Sequence, residues 1–253
     1  MILKNIINEL NIISPLQNAE EWDNVGLLVE SKKSHNIKKI LLTIDLTNII
    51  LDEAVNGNYD LIITYHPILF LPIQKIKLSN PDNLLITRII KSNISIYSPH
   101  TALDNMNGGI NDWLIKSVGE GKIIKNNSNS VRLIKLSKPI TFNLLIKNIK
   151  EYLGLKYLRI AEASNKKIST IACCAGSGYQ SLKGIDADCY LTGEMSHHNI
   201  LSTKKNGINV ILSEHSHTER GYLKLYKKSI KNRLPKNIIV DISKKDKEPI
   251  KIK

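Results

Sequence analysis

The sequence predicts an α/β fold: two related lobes, each with a mostly parallel or mixed sheet flanked by helices. Three observations carry this. Short apolar runs recur along the chain and are too continuous for half-exposed strands. Amphipathic helical patterns separate them, and the alternation runs through twice. A chain of 253 residues is long enough to bury a sizeable core in this way.

Residues 1–13 place Ile and Leu at helical spacing, and Ser14-Pro15 ends that helix. A loop follows through Glu21-Trp22-Asp23-Asn24-Val25-Gly26. Three apolar runs come next, KKILLTIDLT (38–47), LIITYHPILF (61–70) and ISIYSPH (94–100), with helical patterns at 48–57 and 82–92. A helix over 109–118 closes the first lobe, assigned to 1–120. The residues at 121–130, GKIIKNNSNS, are the expected connection. The second lobe, 131–253, opens with VRLIKLSKPI, and its first helix, 142–153, stops at Gly154. Further strands are expected at 167–175, 187–193, 209–215 and 237–242, with helices at 197–205 and 218–231.

Lys and Arg exceed Asp and Glu by 36 to 23, giving a formal charge of +13. The lysines are scattered, and their densest runs (Lys32–Lys33, Lys166–Lys167, Lys227–Lys228, Lys244–Lys245) are short. A solvated basic exterior explains them better than a nucleic-acid surface, which would also need interleaved aromatics for base stacking. Cys173, Cys174 and Cys189 make a poor disulfide framework, and no CxxC is present. That pattern fits a reducing compartment, so the chain is expected in the cytoplasm, with room for an organellar or nuclear pool. No apolar run reaches the roughly 18 residues of a membrane span. The first residues read as an amphipathic helix and not as a signal peptide.

Histidine placement is the most informative feature. Of seven histidines, His35 lies in an ordinary loop, while His66, His100, His197, His198, His215 and His217 fall at or just beyond expected strand ends. In open α/β sheets ligands bind outside the carboxyl ends of the strands. Two related lobes would then face one cleft, with Asp104, Glu194, Glu214 and Glu219 near the histidines. His100 and Asp104 are four apart, as are His215 and Glu219, so a helical turn puts each pair on one face. Each pair alone could equally be a cap or an ion pair; coincidence with His66 favours a metal site. Mixed imidazole and carboxylate donors suit zinc, manganese, iron(II) or nickel better than calcium. Ala175-Gly176-Ser177-Gly178 lies between a strand and a helix. It reads as a tight turn more readily than as a phosphate cradle. GxSxG, Walker and HExxH motifs are all missing from the sequence.

Five segments, WDNVGLLV (22–29), LIITYHPILF (61–70), IYSPHTALDNMNGGINDWL (96–114), ADCYLTGEMSHHNIL (187–201) and EHSHTERGYL (214–223), together resemble the NGG-interacting-factor-three-like family. Bacterial members of that family are often labelled GTP cyclohydrolase 1 type 2. The resemblance covers essentially the whole chain and points to the short, eukaryotic-type version without an inserted middle domain. It implies a two-lobed α/β protein with two divalent metal ions in the cleft, assembled as a toroidal homohexamer. Carried over, the metal-ligand positions fall on His66, Asp104, His215 and Glu219. His100 is implied as a further ligand or an orienting neighbour. Many bacterial members have two adjacent histidines where this chain has Tyr65-His66, and tyrosine is a far poorer ligand at neutral pH.

The chemistry expected of such a site is hydrolysis by metal-activated water, acting on a nucleotide, phosphoester or cyclic amide. His100, His197 and His198 are the candidates to move protons or bind a small anionic substrate. Tyr65 is the candidate to donate a hydrogen bond to the reacting group. The alternative is a non-catalytic, metal-stabilised oligomeric scaffold that binds other proteins, for instance in transcriptional regulation.

Overall fold

The computed structural model describes residues 1–31, 36–124, 126 and 128–250. His35 and the Lys32–Lys33 run lie outside the described residues, as do positions 125 and 127 of the expected connection.

Helix α1 (Leu3–Ile13) buries Leu3, Ile6 and Leu10, a spacing that keeps them on one face, and it stops at Ser14. Strands β1 (Gly26–Val29) and β2 (Lys39–Thr43), helix α2 (Asn48–Asn56) and strand β3 (Leu61–Thr64) follow. Helix α3 (Pro81–Ser92) is the best-defined start in the chain. Asn80 accepts hydrogen bonds from the amides of Asp82 and Asn83, Pro81 sits in the first turn, and Asn93 ends the helix at φ 54°. Strand β4 (Ser95–Ser98) runs straight into α4 (His100–Asn105), and α5 (Ile110–Ile115) comes next.

Strands β5 (Gly121–Ile124) and β6 (Arg132–Ile140) lead to α6 (Phe142–Leu153), which Thr141 caps and Gly154 ends at φ 70°. After it come β7 (Arg159–Ala161), β8 (Ile168–Cys174), α7 (Tyr179–Leu182), β9 (Cys189–Thr192), α8 (His197–Lys205) and β10 (Asn209–Leu212). Helix α9 (Leu223–Arg233) and strand β11 (Ile239–Ile242) complete the chain.

Two compact units result. The first comprises Met1–Leu103 and the chain from Leu223 onward; the second is Asp104–Tyr222. The first holds a five-stranded sheet in the order β1-β4-β3-β2-β11, parallel except for β1. Alternate strand residues face opposite ways, so Leu41, Ile62 and Ile96 pack with Ile50, Leu51, Ala54 and Ile89 of α2 and α3. Helices α1 and α9 pack against each other, and α9 against β2 and β11.

The second unit holds a six-stranded sheet in the order β5-β6-β8-β9-β10-β7. Its central strands β8, β9 and β10 are parallel, while β5, β6 and β7 run antiparallel to their neighbours. One face buries Leu133, Ala172, Tyr190 and Val210 under Tyr179 and Leu182 of α7. Helix α5 packs on β6 and β8.

The mixed α/β architecture with helix-flanked sheets is the one the sequence predicts, and the strands show how the halves are related. In the first unit an antiparallel strand precedes a β2-α2-β3-α3-β4 run and pairs beside its last strand. The second repeats this with β7 and β8-α7-β9-α8-β10. The units divide otherwise than the expected 1–120 and 131–253: β11 pairs in parallel with β2, Ile239 opposite Lys39 through Ile242 opposite Leu42, and α5 packs on β6 and β8 of the second unit. The expected connection at 121–130 also begins as a strand: Gly121–Ile124 pairs with β6.

Candidate metal centre

Strands β2, β3, β4, β8 and β9 end in small polar or sulfur-bearing residues and β10 ends in Leu212, and the candidate donors stand two or three residues beyond such ends. Thr43 is followed in this way by Asp45, Thr64 by His66, and Ser98 by His100. In the second unit Cys174 leads to Gly176, Thr192 to Glu194 and Leu212 to Glu214, with His215 next.

In the first unit the His66 amide donates to the carbonyl of Ile44 at 3.0 Å, which fixes the turn after β3 beside the one after β2. The His66 Nδ1 then lies 2.8 Å from Asp45 Oδ1. His100 sits at φ 28°, a strained backbone position for a residue with a Cβ, at the start of α4. Its Nδ1 lies 2.8 Å from Asp23 Oδ1, while the Thr101 amide and hydroxyl both donate to Asp23 Oδ2. Burial works against the Asp23 charge. The bonds from His100 and Thr101 outweigh it and hold the carboxyl below its ordinary range. Tyr65 is buried, its ring centroid 4.8 Å from that of His66 and 5.3 Å from that of His100.

The second unit supplies His215 and Glu219. His215 Nδ1 lies 2.9 Å from Glu194 Oε1, and its Nε2 lies 3.3 Å from Glu219 Oε1. Glu219 is 1% exposed. Glu214, at φ 67°, is held by Arg159 through contacts of 2.7 and 3.3 Å. Gly176 makes room for the pair: a Cβ there, at φ +62°, would lie 2.9 Å from Glu219 Oε1 and 3.0 Å from His215 Nε2.

The turn around Gly176 is a tight turn and not a phosphate cradle. The amides of Ala175, Gly176 and Gly178 donate to Asn111 Oδ1, Thr218 Oγ1 and Thr192 Oγ1 at 2.8, 2.8 and 3.0 Å, so they are already engaged. Asp104 lies on α4, half-buried, at the fifth position from His100. His197 and His198 are exposed in the first turn of α8, with ring centroids 5.5 Å apart. His217 Nδ1 contacts the Ser213 carbonyl at 2.8 Å, a structural role within the turn.

In the second unit His215 and Glu219 are a possible metal-ligand pair, and in the first unit His66 is a further candidate donor. Imidazole and carboxylate donors suit a divalent ion. Each histidine has Nδ1 against a carboxylate, which leaves Nε2 as the basic, ligating nitrogen, an arrangement typical of metal-bound imidazole. Reading residues by strand-end position found the histidines but missed Asp23 and Asp45 as their partners. The signal was available in Asp45, which stands two residues past its strand just as His66 does.

Fold and side chains together define a mixed α/β protein with a candidate metal centre built beyond its strand ends. The chain belongs to the Duf34/NIF3 (NGG1p interacting factor 3) family, which it matches over residues 1–249. It is 35% identical to NIF3-like protein 1 of Drosophila melanogaster over 266 residues, covering 98% of this chain and 88% of that protein. It is 38% identical to the NIF3 homolog of Schizosaccharomyces pombe over 223 residues, covering 81% and 80%. Among solved structures it resembles reduced HcgD from Methanocaldococcus jannaschii, with a TM-score of 0.86, 25% identity and coverage of 96% and 97%. The Staphylococcus aureus protein SA1388 has a TM-score of 0.83 at 25% identity, covering 100% and 99%.

Proposed function

We propose that this protein is a divalent-metal-dependent hydrolase, with His66, His215, Glu219 and Asp104 as ligands and zinc, manganese, iron(II) or nickel as the ion. The observation that carries this reading is the shared environment of His66, His100 and His215, each with Nδ1 2.8–2.9 Å from a carboxylate oxygen. Three histidines prepared in this way at strand ends serve a metal better than they serve a core. Two ions per subunit is the fuller form of the proposal, with His100 completing the second.

A bound divalent ion supplies a water of lowered pKa, and hence hydroxide near neutral pH. Asp45 and Glu194 fix the tautomers of His66 and His215 and increase their basicity. Asp23 does the same for His100 and orients its ring against Tyr65. His197 and His198, exposed on α8, are the proposed groups to bind an incoming anion or move protons, and Tyr65 is the proposed hydrogen-bond donor to the reacting group.

The test is metal analysis of the purified protein, followed by a screen of phosphoesters, nucleotides and cyclic amides. Metal in the wild type, its loss in His215→Ala and Asp104→Ala, and a turnover lost with it are expected. A protein that carries no metal and binds none at micromolar concentration overturns the proposal. Retained biological function after metal binding is abolished would instead favour a scaffold that binds proteins.

Self-association, as a homohexamer, and a cytoplasmic location belong to the same proposal. Exposed Trp22, Phe70, Leu71, Ile76 and Leu78 support the first. The buried free thiols of Cys173, Cys174 and Cys189 support the second. No described helix is long and apolar enough to cross a membrane.

A further inference from the structure

A cavity of about 580 Å³ opens in the first unit, beside the Asp45–His66 pair. Ile49, Ile50, Pro67 and Ile68 give it apolar walls, and Lys245 and Lys247 line it from the segment after β11. This size is ordinary for a small-molecule site.

The segment carrying the lysines is fastened at several points. The Ser243 amide donates to the Leu42 carbonyl at 2.8 Å, and the Ser243 hydroxyl donates to Glu53. The Lys244 amide also reaches Glu53, at 2.9 Å. Amides of Lys245 and Asp246 both donate to Ser243 Oγ at 3.1 Å. Asp246 Oδ2 accepts from the Ile44 amide at 2.7 Å, one residue before Asp45. These bonds fold the Lys-Asp-Lys sequence over the end of β2.

The charges then separate by what engages them. Two acids, Asp45 and Asp246, line the cavity, yet Asp45 is held by His66 Nδ1 and Asp246 by the Ile44 amide. Lys245 and Lys247 are exposed and make no ion pair among the described residues. Two ammonium groups two residues apart, over apolar walls, match a dianionic headgroup on an apolar or flat body.

We propose that this cavity binds a small organic phosphate, with Lys245 and Lys247 on the phosphate and Ile49, Ile50 and Ile68 against the organic part. It rests on the hydrolase reading above only in placing the substrate beside His66; the binding itself needs no metal.

The test is calorimetric titration of the purified protein with inorganic phosphate, adenosine monophosphate and adenosine, with metal content measured on each sample. The double variant Lys245→Ala/Lys247→Ala is expected to lose at least tenfold in affinity for the nucleotide and for phosphate, at unchanged metal content. Lys244→Ala, outside the cavity lining, serves as the control and should bind as the wild type does. Equal affinity in the double variant overturns the proposal, as does adenosine binding as tightly as its monophosphate, or no phosphate binding at all. Lysine-dependent phosphate binding by a protein without metal would uphold this site while removing the hydrolase reading.

Discussion

His66 Nδ1 lies 2.8 Å from Asp45 Oδ1, and the two residues stand at matching positions beyond neighbouring parallel strands. His215 and Glu194 repeat the contact at 2.9 Å across the neighbouring ends of β10 and β9. Each acid therefore belongs to the strand beside its histidine, and sheet register sets the distance.

Asp45→Asn and Glu194→Gln should each weaken divalent-metal affinity about 10- to 100-fold, because the ring loses its fixed tautomer and part of its basicity. Competition with a metal indicator dye measures this. Both carboxylates are partly exposed, so the thermal midpoint of the metal-free protein should scarcely move.

Gly176→Ala places a Cβ about where Glu219 Oε1 and His215 Nε2 already reach. The positive φ adds roughly 1–2 kcal/mol of backbone strain. Denaturant unfolding should show that loss, and metal binding should fall with it. Gly184, at φ +86° with nothing within 4 Å of an added Cβ, separates the two effects: Gly184→Ala should cost strain alone.

Burial, then the Asp241 carboxylate, pushes the Tyr59 phenol up to about 12; burial and Asp112 raise Tyr222 to about 12 as well. A folded-state value above the unfolded one near 10 stabilises the protonated form. That contribution is fully present below pH 10 and is lost as the pH climbs from about 10 to 12. Chemical denaturation across this range should show stability falling steeply in the wild type. In Tyr59→Phe and Tyr222→Phe the slope should be shallower.

Arg132 is 8% exposed, and it holds the turn after α4 together. Its Nε donates to Asp112 at 2.5 Å, Nη1 to the Asn129 carbonyl at 2.6 Å, and Nη2 to the Met106 carbonyl at 3.1 Å. Arg132→Ala removes the buried cation beside Asp112 and the side-chain donor to the Asn129 carbonyl, while Asp112 keeps the Gly108 amide and the Met106 carbonyl the Gly109 amide; it should cost about 3 kcal/mol, read from urea unfolding. Lysine cannot reproduce the fork, so Arg132→Lys should recover little of it.

Runs such as LIIT at 61–64 and CYLT at 189–192 are legible as strands because they are apolar at every position, and both are fully buried. The stops at Ser14 and Gly154 follow from local chemistry and fall where expected. β1 and β7 were not legible. They are antiparallel edge strands of four and three residues, and nothing in so short a span separates them from loop. The place of β11 was hidden for another reason: its partner, β2, is about 200 positions away, and no local pattern records a pairing of that range. Of the candidate site, the histidines were visible from their strand-end positions. Asp23 was not, since its contact with His100 joins a loop to a helix start 77 residues later.

The pairing of β11 with β2 also orders events during synthesis. Residues 104–222 form an uninterrupted stretch, so the second unit has all its strands once Leu212 has left the ribosome. The first unit has made four strands long before that, yet β2 keeps an open edge until Ile242 emerges. A nascent chain therefore carries an unsealed sheet through most of its translation, and the part made first is the part finished last.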